Sequence, residues 1–351
     1  MKLLRNILAY VFVGGNIGTI MLLWICCVST YFSPADHPFL GILGLAFPVF
    51  LIFNALFFVF WLIFNIRRCW IPLLGFVCIA SFIQDYCPIH RNHPIPENTL
   101  KVISYNVGHT VTDEDRQQIV QFLKEEDADI ICLQEMTYNF PTRRDCKTMI
   151  DSLHYRVVQN QGECILARFD LVGDTLPVHY PGKAGHTLAC QIENDGDTIL
   201  VINNHLESNK LTPEEKSEYK DMIKDPKKEK IKSGSRMMIN RLTSAAKLRG
   251  EQTDSLCAFV DRHKEQSIIL CGDLNDTPIS YTYQRILKRL SNTFRDNGIG
   301  VGISYNEKAF FVRIDNVFVS EDCNSHKTYV ENDIKASDHY PIITYLSKKE
   351  K

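Results

Sequence analysis

The hydrophobic pattern changes character once, near residue 88. Before that point lie two uncharged runs, about 7–32 and 39–66, each longer than the ~20 residues that cross a bilayer as a helix. A third run, about 69–86, is only just long enough; it contains Pro72, and Trp70 and Tyr86 bracket it at the spacing of interface anchors. The reading is a multi-pass membrane region, residues 1–87, with three spans. A cleaved signal peptide does not fit, because the first apolar core is too long and a second follows at once. Pro88, Pro94 and Pro96 among polar residues predict a short stiff linker over 88–99.

From Leu100 onward short β-rich runs alternate with amphipathic helices, which predicts a soluble α/β domain over 100–347 and a tail at 348–351. Strands are expected at 102–106, 129–135, 156–159, 163–168, 186–193, 198–204, 268–273 and 311–319. A last strand is introduced by Ser337-Asp338-His339-Tyr340-Pro341. Thr112 and Asp115 resemble a capping box opening a helix with Ile119, Phe122 and Leu123 on one face. Residues 207–267 are charged and mostly helical, and a helix follows at about 280–290. The cluster Lys224, Lys227, Lys228, Lys230, Lys232 and Arg236 reads as the solvated turn of a helix hairpin, with a substrate lid as the other reading.

Charge sharpens the division. Only four of the 39 Lys/Arg and two of the 41 Asp/Glu fall in the first 90 residues, leaving 35 bases against 39 acids, a net of −4, on the remainder. A mildly acidic domain argues against one built to coat nucleic acid phosphates. Lys2 and Arg5 flank the first span, Arg67 and Arg68 lie between the second and third, and the loop from Ser29 to His37 has no Lys or Arg. The positive-inside rule then puts the N-terminus and Arg67/Arg68 in the cytoplasm. With three crossings the domain faces the outer or periplasmic side; if the third run only dips into the interface, it faces the cytoplasm. Seven of the twelve cysteines follow Cys87 without CxxC spacing, which speaks against a zinc cluster and mildly against an oxidising compartment.

The candidate chemistry sits at strand ends. Ile268-Ile269-Leu270-Cys271-Gly272-Asp273-Leu274-Asn275-Asp276-Thr277-Pro278 is a buried strand running into a turn, and Asp273 and Asn275, two apart, are expected on one face. Taken alone it is ordinary turn chemistry. It has company: Asn106, Glu135, His205, Asp315, Asp338 and His339 end or begin other strands. Phosphoester hydrolysis needs a hard cation, a base for water, and donors that follow charge into the transition state. Carboxylate and amide oxygens suit Mg²⁺ or Mn²⁺, and histidines supply donors.

The motifs ISYNV, ICLQE, NNHLES, CGDLND, RIDNVFVS and SDHYP, in this order, resemble the endonuclease/exonuclease/phosphatase superfamily over about 100–347. The resemblance implies a four-layer α/β sandwich of two mixed β-sheets flanked by helices. It implies Glu135 as principal metal ligand with Asn106 and Asp338 beside it, and Asp273 orienting or deprotonating water. Asn275 would hold the phosphate, and His339, oriented by Asp315, would contact a phosphate oxygen; the roles of Asp273 and His339 could be exchanged. His205, where abasic-site endonucleases tend to have tyrosine, is similar to deoxyribonuclease-like and neutral-sphingomyelinase-like members. The sequence Leu-Cys-Gly-Asp-Leu-Asn-Asp-Thr-Pro departs from the inositol-phosphatase pattern. The function so implied is a membrane-anchored Mg²⁺-dependent phosphoric ester hydrolase, a phosphodiesterase acting on a lipid headgroup, with the bilayer and the phosphoester as its partners. A membrane-tethered nuclease and a non-catalytic binding module are the alternatives, and no obligate protein partner is expected.

Overall fold

The computed structural model describes residues 2–90, 94–108, 112–137, 140–181, 186–209, 228–307 and 310–349. Of the basic cluster, Lys224 and Lys227 lie outside the described residues, as do the side chains of Lys228, Lys230 and Lys232.

Residues 100–348 form two six-stranded mixed sheets. In the first, β1 (Leu100–Asn106) runs parallel to β2 (Ile130–Gln134), and the order continues through β4 (Glu163–Ala167) to β3 (Arg156–Asn160) on one side. On the other side it continues through β14 (Ile342–Lys348) to β13 (Cys323–Val330). In the second sheet the order is β5 (Asp170–Pro177), β6 (His186–Asn194), β7 (Asp197–His205), β8 (Ser267–Asp273), β12 (Asp315–Val319), β9 (Ser291–Asn292), with β7 and β8 parallel.

Period-two alternation divides each strand between two cores. Val102, Ile130, Cys132 and Ile165 meet Val201, Ile269, Cys271 and Val317 between the sheets. Their neighbours Ile103, Ile131 and Leu133 face outward onto α5 (Asp113–Glu126) and α6 (Arg144–Ser152). Leu200, Ile202 and Leu270 face α7 (Lys228–Arg262) and α8 (Tyr281–Leu287). The result is the four-layer sandwich, and Thr112 and Asp115 do form the capping box of α5.

The strand expected over 311–319 is broken. Ser304 Oγ accepts from the backbone N–H groups of both Ile314 and Asp315, at 3.0 and 3.1 Å, and takes them out of the ladder. Phe310–Val312 (β11) instead pairs with Tyr305–Glu307 (β10) as a separate hairpin, and β12 begins at Asp315. The break gives Asp315 its place at a strand start.

Polar side chains also tie the two sheets to each other. Asn203 on β7 accepts from Gln134 Nε2 at 2.7 Å and donates to the carbonyls of Leu133 and Cys164 at 2.8 and 3.0 Å, all on the opposite sheet. Buried and joined by these bonds, the layer fixes the position of one sheet on the other.

The N-terminal region contains two helices apolar enough to cross a membrane, within α1 (Lys2–Ser29) and over Leu40–Phe64, whose regular part is α2 (Phe47–Phe64). A bent pair follows, α3 (Trp70–Cys78) and α4 (Ala80–Tyr86), with a 64° break. Pro72 does not cause the break, because it sits in the first turn of α3, where an N–H is not needed. The break falls at Ile79, whose φ of −119° and ψ of 17° leave the helical region. Asn16 donates to Asn54 at 3.2 Å, Trp61 Nε1 donates to Asn16 at 3.2 Å, and Asn54 donates to the Pro72 carbonyl at 3.0 Å, so polar groups join all three segments.

This bundle packs on the sandwich. A Cβ on Gly44 would stand 1.6 Å from the carbonyl oxygen of Ile279, and Ile279 itself is buried among Leu23, Cys26, Cys27, Phe47 and Ile79. Asp85 at the end of α4 is buried against Arg295 and accepts from Gln284 at 2.7 Å, while Arg313 donates to its backbone oxygen. Residues 88–90 continue the contact: Gly300 donates to the Pro88 carbonyl at 2.8 Å and Ile89 bridges Ile299.

Asn203→Leu strips the inter-sheet layer of its central member and leaves buried polar partners unpaired. It should lower stability by about 1–3 kcal/mol, read as the urea midpoint of the detergent-solubilised chain; an unshifted midpoint would mean the layer is not a structural tie.

Candidate functional site

Strand register assembles the site. His205 lies opposite Asp273 in the β7–β8 pair, and Asp273 lies opposite Asp315 in the β8–β12 pair, so three neighbouring strands of one sheet present these side chains in a row. Gly272 permits this closeness: at φ 145°, a Cβ there would stand 1.8 Å from the Asn204 carbonyl oxygen. The other sheet contributes Asn106 at the end of β1 and Glu135 just past β2.

Glu135 reaches the site against the alternation rule. Gln134 already faces the inter-sheet space, so Glu135 in an extended strand would face outward. Its φ of 54° turns the chain back, and Oε1 lies 3.3 Å from Asn106 Nδ2 and 3.3 Å from His205 Nε2. A non-glycine residue held in this region carries local strain.

Asp273 is the centre. Its Oδ2 accepts from Asn106 Nδ2 at 3.1 Å and lies 3.8 Å from both His205 Nε2 and His339 Nε2. Its Oδ1 accepts from the Asn275 backbone N–H at 2.7 Å. Asn275 therefore joins Asp273 through a turn, not through a shared strand face: β8 ends at Asp273, Asn275 has φ 51°, and its amide donates to the Leu206 carbonyl at 3.0 Å. His339 pairs with Asp315 (Nδ1 to Oδ2, 2.8 Å), and Ser337 holds its loop by accepting from the His339 N–H and donating to the Asn106 carbonyl. Asp338 stands apart from these groups, exposed at the rim of a cleft lined by Val107, Gly108, Asp115 and Ser337.

Glu163, at the start of β4, completes the arrangement. It is almost fully buried, with Oε1 3.9 Å from His205 Nδ1, so His205 stands between two carboxylates, Glu135 and Glu163. The sequence carries one signal for it, a charged residue opening an otherwise apolar strand. Arg249 of α7 was equally invisible: it donates to the Glu207 carbonyl and to Asn209, and lies 3.5 Å from Asp276, holding the loops after β7 and β8 together.

Electrostatics follow from this crowding. Burial, the Asp315 charge behind it, and only partial relief from the two histidines raise the Asp273 carboxyl above its usual range. Burial pushes Glu163 up to about 8 despite His205. For the histidines burial works against the charged form, but the carboxylates overcome it: Glu135, Asp273 and Glu163 raise His205, and Asp315 with Asp273 raises His339 to about 10. Donor atoms of Glu135, His205 and Asp273, and of Asp273, Asp315 and His339, lie within 4.8 Å of one another in each group. Among the described residues, Asp315 Oδ1 and Glu163 Oε2 have no hydrogen-bond partner. The unpartnered Asp315 oxygen, beside the crowded Glu135 and Asp273 carboxyls, fits a site short of positive charge that a hard divalent cation would complete.

A family model, the endonuclease/exonuclease/phosphatase family, matches residues 103–339. The chain belongs to the endonuclease/exonuclease/phosphatase family. Members of this family hydrolyse phosphoesters and are generally dependent on divalent metals. A second model, a domain of unknown function (DUF8431), matches residues 9–86. No curated protein matches this chain. Among solved structures, the human Nocturnin catalytic domain with bound sulfate is 14% identical, with TM-score 0.53, over 73% of this chain and 97% of that one. An endonuclease/exonuclease/phosphatase family protein from Bacteroides thetaiotaomicron is 17% identical, with TM-score 0.51, over 74% and 100%. ANGEL2, a 2′,3′-cyclic phosphatase bound to adenosine-2′,3′-vanadate, is 16% identical, with TM-score 0.50, over 74% and 98%. At these identities the likeness is one of fold.

Glu163 gives a pH test independent of turnover. A carboxyl whose folded pKa lies above its unfolded value keeps its proton in the native state after the unfolded chain has lost it, so its contribution to stability falls as pH rises from about 4.5 to about 8. Glu163→Gln should therefore flatten the loss of stability over that window, measured by unfolding in EDTA at several pH values. Parallel curves for the two proteins would show that Glu163 is ionised in the native state.

Proposed function

We propose that this family member is a membrane-anchored phosphodiesterase that uses Mg²⁺ or Mn²⁺ to hydrolyse the headgroup ester of a membrane lipid. One observation carries the reading. The loop that leaves Asp273 runs through Asp276 to Ile279, and Ile279 is buried in the apolar helical bundle. The catalytic end of the sandwich is thus the end seated on the helices.

In this reading Glu135, with Asn106 and Asp273 beside it, would hold the cation, whose charge would neutralise nonbridging phosphate oxygens, while Asp338, exposed and apart from these groups, is left outside the ligand set. Asp273 orients the attacking water or takes its proton. His339, fixed by Asp315, donates to a phosphate oxygen, Asn275 supports the phosphate, and His205 assists the leaving oxygen.

The bent third segment counts as a crossing. Arg68 at its start donates to the carbonyl of Ala9, whereas Ile79 packs with Leu23 and Cys27, nearer the other end of α1. At 1.5 Å per residue, Ala9 and Cys27 are about 27 Å apart along the helix, close to the apolar thickness of a bilayer. The domain then shares a side with the Ser29–His37 loop, opposite Arg67 and Arg68, which by the positive-inside rule is the outer or periplasmic side.

The full-length protein in nanodiscs should hydrolyse bis-p-nitrophenyl phosphate and a sphingomyelin-type lipid with Mg²⁺ and neither with EDTA. Asp273→Asn and His339→Ala should each cut kcat at least ~100-fold. Plasmid cleavage without lipid turnover would make the enzyme a tethered nuclease, and no turnover of any substrate would leave a binding module.

Seating has its own test. Gly44→Val forces a side chain into the Ile279 backbone, so lipid hydrolysis should fall while the soluble diester is still turned over. An equal fall, or no fall, on both substrates would separate seating from lipid specificity.

A further inference from the structure

Beside the catalytic end, and outside the residues assigned to it, a groove of about 560 Å³ opens between the 299–303 turn, the β10–β11 hairpin and β13. Its lining is mixed: Val301 and Ile303 are half-buried, Phe294 is buried, Asn297, Asn306 and Asn332 are polar, and Ile299 and Phe311 are 57% and 55% exposed. Lys327 and Lys335 line the opposite wall. Each lies over a tyrosine ring, Lys327 over Tyr329 at 4.8 Å and Lys335 over Tyr340 at 4.5 Å, and among the described residues neither forms an ion pair. Tyr340, the neighbour of His339, closes the end nearest the site.

The Ile299 side of the groove is continuous with the third apolar segment. Ile89, 86% exposed and three residues past α4, bridges Ile299; Gly300 donates to Pro88, and Arg313 joins the Val301 carbonyl to that of Asp85. Isolated exposed hydrophobics need no explanation, but Ile89, Ile299 and Phe311 stand together where a spanning segment emerges. That position lies at the bilayer surface if the bundle spans, on which the inference rests together with the reading above.

We infer that this groove binds a phospholipid with an anionic headgroup, its acyl portion against Ile299, Val301, Ile303 and Phe311 and its phosphate at Lys327 and Lys335. The occupant is a bilayer lipid held alongside the reacting centre, not the phosphoester being cleaved. The exposed Ile299 and Phe311 with Val301 and Ile303, and the two lysines, match the two halves of such a molecule, and the exposed pair lets it enter sideways from the leaflet.

The test uses the full-length chain in nanodiscs, with benzoylphenylalanine installed at Ile299 or Phe311. Leu171, exposed on β5 at the end of the sandwich away from His205, serves as the control position. After irradiation, lipid adducts are counted by intact mass spectrometry in phosphatidylcholine discs with and without phosphatidylglycerol. Adducts should form at 299 and 311 well above 171, with phosphatidylglycerol over-represented; Lys327→Ala combined with Lys335→Ala should reduce that excess by roughly five-fold per lysine. Yields at both positions equal to that at 171, or a phosphatidylglycerol share indifferent to the lysines, would overturn the assignment. Cross-linking needs no catalysis. Adducts in a protein that hydrolyses nothing would keep the groove and remove the proposed reaction, and lipid turnover without adducts would do the reverse.

Discussion

Four carboxylates, Glu135, Glu163, Asp273 and Asp315, converge at the end of one dry sandwich, and everything near them is arranged to make that bearable. Like charges in a low-dielectric space repel strongly, and isolated carboxylates resist burial. The protein answers with two imidazoles, each set between acids: His205 between Glu135 and Glu163, His339 between Asp315 and Asp273. The remaining deficit raises Asp273 and Glu163 above the ordinary carboxylate range. A divalent cation and the charge on a phosphate would extend the same alternation of sign, so these side chains act as one electrostatic unit.

Such a unit works only if both sheets keep their relative position, because each supplies half of it. The Asn203–Gln134 layer holds that position one step below the His205–Asp273 cluster, where apolar contacts alone would let the sheets slide. Tight backbone turns complete the geometry. Glu135 and Asn275 both sit at positive φ, Asn275 anchored to Leu206 and Asp273, and the cost of those conformations is borne by the packed strands behind them.

What the sequence makes legible follows from this physics. Asp273 and His205 each end a strand whose apolar period is plain, so register brings them together. The fold could likewise be read from alternation, with runs such as Val102–Asn106 and Ile268–Asp273 shared between two cores. Glu163 could not, since a lone carboxylate at a strand start looks like solvent chemistry until the third dimension closes over it. The break at Arg313–Ile314 was hidden because Ser304, ten residues upstream of Ile314, supplies it; the local pattern reads as one β-rich run from Phe311 to Val319. The turn at Glu135 was hidden for a similar reason, since backbone handedness leaves no mark on a non-glycine residue. Pro72 misleads in the opposite direction, a conspicuous breaker placed where it breaks nothing.

The two regions of the chain meet in a way that composition alone would have separated. Asp85 interrupts an apolar segment and would be costly in hydrocarbon, yet it is buried in protein against Arg295 and Gln284, with Arg313 on its backbone oxygen. Arg313 is itself buried against Phe294, two residues before Asp315, and Asp315 orients His339. The end of α4 is therefore connected through one guanidinium to the strand start that fixes a histidine of the site. A flexible tether would raise only the local concentration of substrate. A seated domain also fixes which end of the sandwich lies against the helices, and here that is the end that carries Asp273.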